Sequence, residues 1–147
     1  MEMLFGIIGA VSGITGIVVS LFAFYHNQME AVNAYYINDR EERYIEARRI
    51  VHQLPENYSP EQLLKEHGSE VAYLILSYDQ AGTLLKNRQL PFWLFKTSSG
   101  YAAVQFYNVL KSYIEWRREN GTPLYGQPYE YLVKRILRKH PEWKEAK

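Results

Sequence analysis

The sequence predicts an all-α protein: one N-terminal transmembrane helix continuing into a small cytosolic helical bundle. Three observations carry this. Leu4 to Tyr25 is a run of 22 residues without a charge. The segments that follow place their apolar residues three and four apart, the period of a helix packed on one side. No segment sustains the alternation of a half-buried strand, so no sheet is expected. The expected division is an anchor over residues 1–28 and a helical domain over 29–147.

A helix of 22 residues reaches roughly 33 Å, enough for a hydrocarbon core about 30 Å thick. Twelve of the 22 are Leu, Ile, Val or Phe, so the gain on insertion outweighs the small Gly, Ser and Thr costs. Phe24, Tyr25 and His26 suit the headgroup layer. A cleaved signal peptide wants a basic start, a shorter apolar run and small residues at the cut. This chain begins Met-Glu-Met and leaves the apolar run through Ala-Phe-Tyr-His-Asn. A retained helix is therefore expected. Arg40, Arg43, Arg48 and Arg49 lie on its C-terminal flank and no Lys or Arg on the other, which predicts a cytoplasmic C-terminal domain.

Gly6, Gly9, Gly13, Gly16 and Ser20 are spaced 3, 4, 3, 4. That is a stripe of small residues along one side of the helix. Lipid tails are as apolar as Leu, so helices in a bilayer associate by close packing and hydrogen bonds instead. The stripe predicts a helix-packing seam against a second copy or another membrane protein. Its 3.5-residue period favours a left-handed crossing. The overlapping pairs Gly9–Gly13 and Ser12–Gly16–Ser20 also suit a right-handed one.

His26 to Leu54 holds neither Gly nor Pro, and Ile37, Tyr44, Ala47, Val51 and Leu54 share a stripe. One long helix is expected to leave the membrane and end at Pro55. Ser59, Pro60 and Gln62 form a capping-box start for the next helix, which should stop near Gly68. Ser69 opens another, with Val71, Leu74, Ile75, Tyr78 and Leu85 facing inward until Leu90-Pro91 breaks it. PFWLF predicts a short helical piece, and Ser98 or Ser99 a cap. Ala103, Phe106, Leu110, Tyr113 and Ile114 mark the next buried stripe, ended by Asn120-Gly121. Tyr129, Leu132, Val133, Ile136 and Leu137 mark the last helix, which stops before Pro141.

The net charge of +1 argues against nucleic-acid binding as the global role. It is unevenly spread: −1 over residues 1–29, −3 over 30–67 and +5 over 68–147. With no Cys, disulfides and thiolate chemistry are excluded. His26, His52, His67 and His140 lie in four separate segments without ligand spacing, so no metal site is expected. There is no nucleophile elbow and no Ser-x-x-Lys. GIIGAVSGITG follows no strand and is no nucleotide fingerprint. No catalytic residue and no cofactor is expected.

Two polar features stand out. Asp79 and Gln80 interrupt an apolar helix, which predicts a buried polar node with an arginine or tyrosine partner, since buried polar groups are paired. Gly82 beside them suits close helix packing. Lys134, Arg135, Arg138 and Lys139 cluster on the last helix. They are candidates for anionic-lipid contact, against the reading of a solvated helix end. The many tyrosines are expected mainly to fill the core, with Trp93 and Trp143 left open as partner or membrane contacts.

Glu46-Ala47-Arg48-Arg49, YDQAGTLLKNRQL from Tyr78, and FYNVLKSYIEWRRENG from Phe106 with the following YGQPYEYL carry a resemblance. The chain resembles a family of small bacterial membrane proteins known as a domain of unknown function. The resemblance implies one N-terminal spanning helix, a long charged helix and an all-helical cytosolic part, and it supplies no established activity to carry over.

The expected role is a membrane-anchored, non-catalytic interaction or regulatory module, self-associating through its transmembrane helix, with the lipid bilayer and a second copy as partners. Two alternatives stand beside it. One is an oligomeric pore-forming effector, although Ser12, Thr15 and Ser20 are few for a water-lined channel. The other is a membrane-proximal enzyme using Asp79, although no acid, base and nucleophile converge.

Overall fold

The computed structural model of the chain describes residues 2–146, with side chains from Thr15 to Ala146. Five α-helices follow one another: α1 (Glu2–Asp39), α2 (Glu42–His52), α3 (Pro60–Lys86), α4 (Ser98–Glu119) and α5 (Gln127–Leu137). Short 3-10 turns occupy Phe92–Phe95 and Pro141–Glu145. Among the described residues there is no strand, and the fold is all-α.

α3 is the central helix, packed on α1, α2, α4 and α5. Its inward stripe of Val71, Leu74, Ile75, Tyr78 and Leu85 is buried, as are Ala103, Phe106, Leu110, Tyr113 and Ile114 of α4. On α5, Tyr129, Leu132, Val133 and Ile136 are buried while Leu137 is only partly so. These stripes are legible because burial on one side of a helix selects apolar residues at its own period. Tyrosines fill much of the centre, and the hydroxyls of two of them find backbone acceptors. The rings of Tyr78 and Tyr129 stack at 4.5 Å between centroids. Tyr129 donates to the Ala103 carbonyl at 2.7 Å and Tyr58 to the Val109 carbonyl at 2.9 Å. Trp143 is likewise engaged, stacked on His140 and set edge-on to Tyr101. Trp93 stays 52% exposed.

The chain differs from the expected elements at five places. The single helix expected from the membrane to Pro55 is two, because the helix breaks at Arg40–Glu41, where Glu41 is extended (φ −66°, ψ 133°). Arg40 and Glu41 donate to the Ile37 and Asn38 carbonyls, a tightened last turn. Tyr73 of α3 holds this corner, its hydroxyl donating to Glu41 and lying 2.9 Å from the Asn38 side-chain amide. Arg48 closes it on the other side, 3.3 Å from Asp39. Beyond the break Tyr44, Ala47 and Val51 are buried, whereas Ile37, expected on their stripe, stays on α1 and is 72% exposed.

The stop expected near Gly68 is instead a kink inside α3, where His67 leaves helical geometry (φ −137°, ψ 20°). α3 ends at Lys86, before Leu90-Pro91, and Arg88 adopts a left-handed conformation (φ 60°). α4 is capped in position by Thr97 without a side-chain bond, so neither Ser98 nor Ser99 is the cap. Of the capping box at α3, Ser59 accepts from the Gln62 N–H at 3.4 Å, but the Gln62 side chain turns to Glu66.

Among the described residues no helix is long and apolar enough to cross a membrane. Thr15 to Tyr25 alone reaches about 17 Å, roughly half of a hydrocarbon core. The rest of the expected span, with Gly6, Gly9 and Gly13 of the expected seam, lies outside the residues whose side chains are described. Within the described part, α1 projects from the body as an apolar rod. Ile17, Val18, Val19, Leu21, Phe22, Phe24 and Tyr25 are all exposed, Phe22 by 72%. No atom lies within 4 Å of where a Cβ on Gly16 would sit, and Ser20 donates to the Gly16 carbonyl at 2.8 Å. α1 joins the core only further on, where Val32 is buried and Tyr35 meets the Phe95 ring edge-on at 5.6 Å. It runs antiparallel to α3: Asn38 lies at Tyr73, and Gln28 donates to the Arg88 carbonyl at 3.0 Å.

Candidate functional site

The polar node expected at Asp79 and Gln80 forms around Asp79 alone. Gln80 is exposed and faces a small cavity of about 50 Å³ between α1 and α3. Asp79 is half-buried, and the reason lies in α5. That helix begins at Gly126, in the left-handed region (φ 65°) and without a capping side chain. The first turn of any helix leaves N–H groups without partners. Here Gln127 donates back to the Leu124 carbonyl, Pro128 has no N–H, and Tyr129 donates to Asp79 Oδ1 at 2.8 Å. The Gly126 N–H also reaches this carboxylate. Asp79 therefore caps α5 from a different helix, and its charge sits where the helix dipole favours an anion. The expected partner was an arginine or a tyrosine side chain; the partner found is backbone.

Burial pushes the Asp79 carboxyl above the ordinary aspartate range, against the pull of the two N–H groups and of the nearby Arg118. Arg118 of α4 is the residue that sequence reasoning missed. It donates from Nε to the Tyr125 carbonyl at 2.8 Å and pairs through Nη1 with Glu130 of α5 at 2.8 Å. Lys134 also pairs with Glu130. These partners hold the Glu130 carboxyl below its usual range, Lys134 first among them. The arrangement ties α3, α4 and α5 together. Asp79 Oδ1 is thereby committed to the start of α5.

Close approach accompanies the node. A Cβ on Gly82 would lie 2.1 Å from the Pro128 carbonyl oxygen and 2.6 Å from its carbon. Only glycine lets α3 and α5 meet here, as the neighbourhood of Asp79 predicts.

The four basic residues on and just after α5 make different contacts. Lys134 is turned to Glu130 and lines a cleft with Thr83, Lys86 and Asn87. Arg135 donates to Tyr131 Oη at 3.0 Å and lies 5.4 Å above the Phe92 ring. Arg138 and Lys139 follow the last turn and are exposed.

Glu46-Ala47-Arg48-Arg49 is built into the wall of α2. Ala47 is fully buried, Arg48 reaches Asp39 and lies over Phe106, and Arg49 forks onto Glu46 at 2.7 and 2.9 Å. Beside it, between α2 and α3, lies an open cleft of about 650 Å³ that includes Glu46, Tyr58, Glu66, His67 and Glu70. Its acids and its histidine do not converge. Among the described residues no group of three or more His, Asp or Glu is placed to hold a metal ion.

No curated protein and no solved structure matches the chain. One family does, over residues 10–136, and its extent takes in the apolar end of α1, the Asp79 node and nearly all of α5. With that coverage, the chain belongs to the family described as a domain of unknown function, DUF4760.

Proposed function

We propose that this protein is a membrane-anchored, non-catalytic interaction module that self-associates through the first half of α1. The observation that carries the reading is the exposed rod of Ile17, Val18, Val19, Leu21, Phe22, Phe24 and Tyr25, continuing the charge-free run from Leu4. An apolar patch of that extent has no place in water; it marks a membrane or a partner. The body supplies no competing cover, since α1 reaches the core only around Val32 and Tyr35. The non-catalytic part of the reading draws on Asp79, whose carboxylate is spent on the start of α5.

Self-association is proposed from the small-residue stripe Gly6, Gly9, Gly13, Gly16 and Ser20. Gly16 and Ser20 lie on the exposed rod, with open space around Gly16, so a second backbone has room to approach. Alkaline carbonate washing of membranes holding the full-length chain tests the anchor. The protein is expected in the pellet; release to the supernatant defeats the anchor. Crosslinking in the same membranes tests the seam. Gly13→Leu is expected to lower the dimer yield without changing the carbonate result, and an unchanged yield removes the seam.

A further inference from the structure

We infer that the α3–α4 connection, residues 86–97, is a second membrane contact, lying on the anionic headgroup surface where α1 enters the bilayer. The inference rests on the anchored reading of α1 and goes beyond it, assigning a lipid-binding role to a loop of the body.

Geometry sets the loop at that depth. The apolar rod ends at Tyr25, and Gln28, three residues on, holds the Arg88 carbonyl at 3.0 Å. Three residues of helix span about 4.5 Å. The headgroup layer on each side of a bilayer is roughly 5–7 Å deep, from a total near 40–45 Å around a 30 Å core. The Arg88 end of the loop, fastened to Gln28, therefore lies among headgroups once Tyr25 reaches their inner edge. Tyr35 against Phe95 braces the far end of the loop two turns further along α1, so that end stands above the layer and faces its surface.

The chemistry suits that layer. Lys86, Arg88 and Lys96 are exposed, and among the described residues none of them makes an ion pair. Residues 80–114 contain neither Asp nor Glu. Arg135 adds a cation at Phe92, and the cleft beside Lys86 adds Lys134, itself turned to Glu130. Glu30, the acid nearest on α1, is paired with His26 at 3.2 Å. Trp93 projects from the middle of the loop, exposed beside the buried Leu94 and Phe95; an indole ring with cations around it is the usual furniture of a membrane interface. Arg88 also holds a left-handed backbone (φ 60°), which glycine adopts with less strain.

Full-length protein reconstituted into phosphatidylcholine vesicles, with and without phosphatidylglycerol, tests the contact through brominated-lipid quenching of tryptophan fluorescence. The expected result is quenching that rises with phosphatidylglycerol and is mostly lost in Trp93→Phe. Arg88→Gly relieves the backbone and removes one base, so it should fold at least as well. It should also lower the loop's occupancy of the anionic surface roughly fivefold, the worth of one surface charge. Carbonate-resistant protein whose quenching is indifferent to Trp93→Phe overturns the contact and leaves the anchor standing. Protein that carbonate releases overturns both.

Discussion

Gly82→Ala is expected to unfold the domain at temperatures the wild type withstands, with a loss of about 3 kcal/mol or more and a fall in Tm on the order of 10 °C. The added methyl would lie 2.1 Å from the Pro128 carbonyl oxygen. A flexible side chain would turn aside from such a clash, but a backbone carbonyl inside the first turn of α5 has nowhere to go. α3 and α5 must part, and the contact between them carries Tyr78 on Tyr129, Leu132 and Ile136. Separation also draws Asp79 away from the Tyr129 N–H. The measurement is thermal and urea unfolding followed by circular dichroism. A Tm within a degree or two of wild type would mean that the two helices do not meet as described.

The second large effect belongs to Asp79. Asp79→Ala is expected to cost about 2 kcal/mol, because it removes a helix cap and leaves buried N–H groups without acceptors. Asp79→Asn should recover most of this, since an amide oxygen can accept from Tyr129 and Gly126 as the carboxylate does. The pH dependence separates the charge from the cap. Burial raises the folded-state pKa of Asp79 above the ordinary value of 3.8. Its contribution to stability is therefore fully present below that value and declines as pH rises through the folded pKa. Relative to Asp79→Asn, the wild type should lose ground between about pH 4 and neutrality. Urea titrations of both proteins across that range supply the comparison. A difference independent of pH would show that the carboxylate is as comfortable folded as unfolded.

The helices of the body were legible where burial imposes a period on the residues. Val71, Leu74, Ile75 and Tyr78 cannot be spaced otherwise and still face one core, and the same holds for Phe106, Leu110 and Tyr113. The break at Arg40–Glu41 was not legible, because nothing local demands it. Asn38, Asp39 and Arg40 are ordinary on an exposed helix. The corner is held by Tyr73 and Arg48 from elsewhere in the chain. Arg88 hid the end of α3 for a related reason: the left-handed position there is usually glycine, and an arginine gives no such signal. For the node, the sequence marked Asp79 as odd but not its partner. The clue was Gly126, a helix start with no side chain to cap it. A start of that kind needs an acceptor from another part of the fold, and Asp79 lies 50 residues before Tyr129. Gln80 looked equally unusual and is simply exposed.

α1 is unbroken from Glu2 to Asp39, with no glycine or proline between His26 and Asp39 to act as a swivel. The body is bolted to this shaft at Gln28, Val32, Tyr35 and Asn38. Any rotation of the apolar end about its own axis must therefore swing the whole body with it. Each helical residue advances the azimuth by about 100°. One residue inserted after Tyr25 would thus turn the body to a different compass bearing while leaving its interior unchanged.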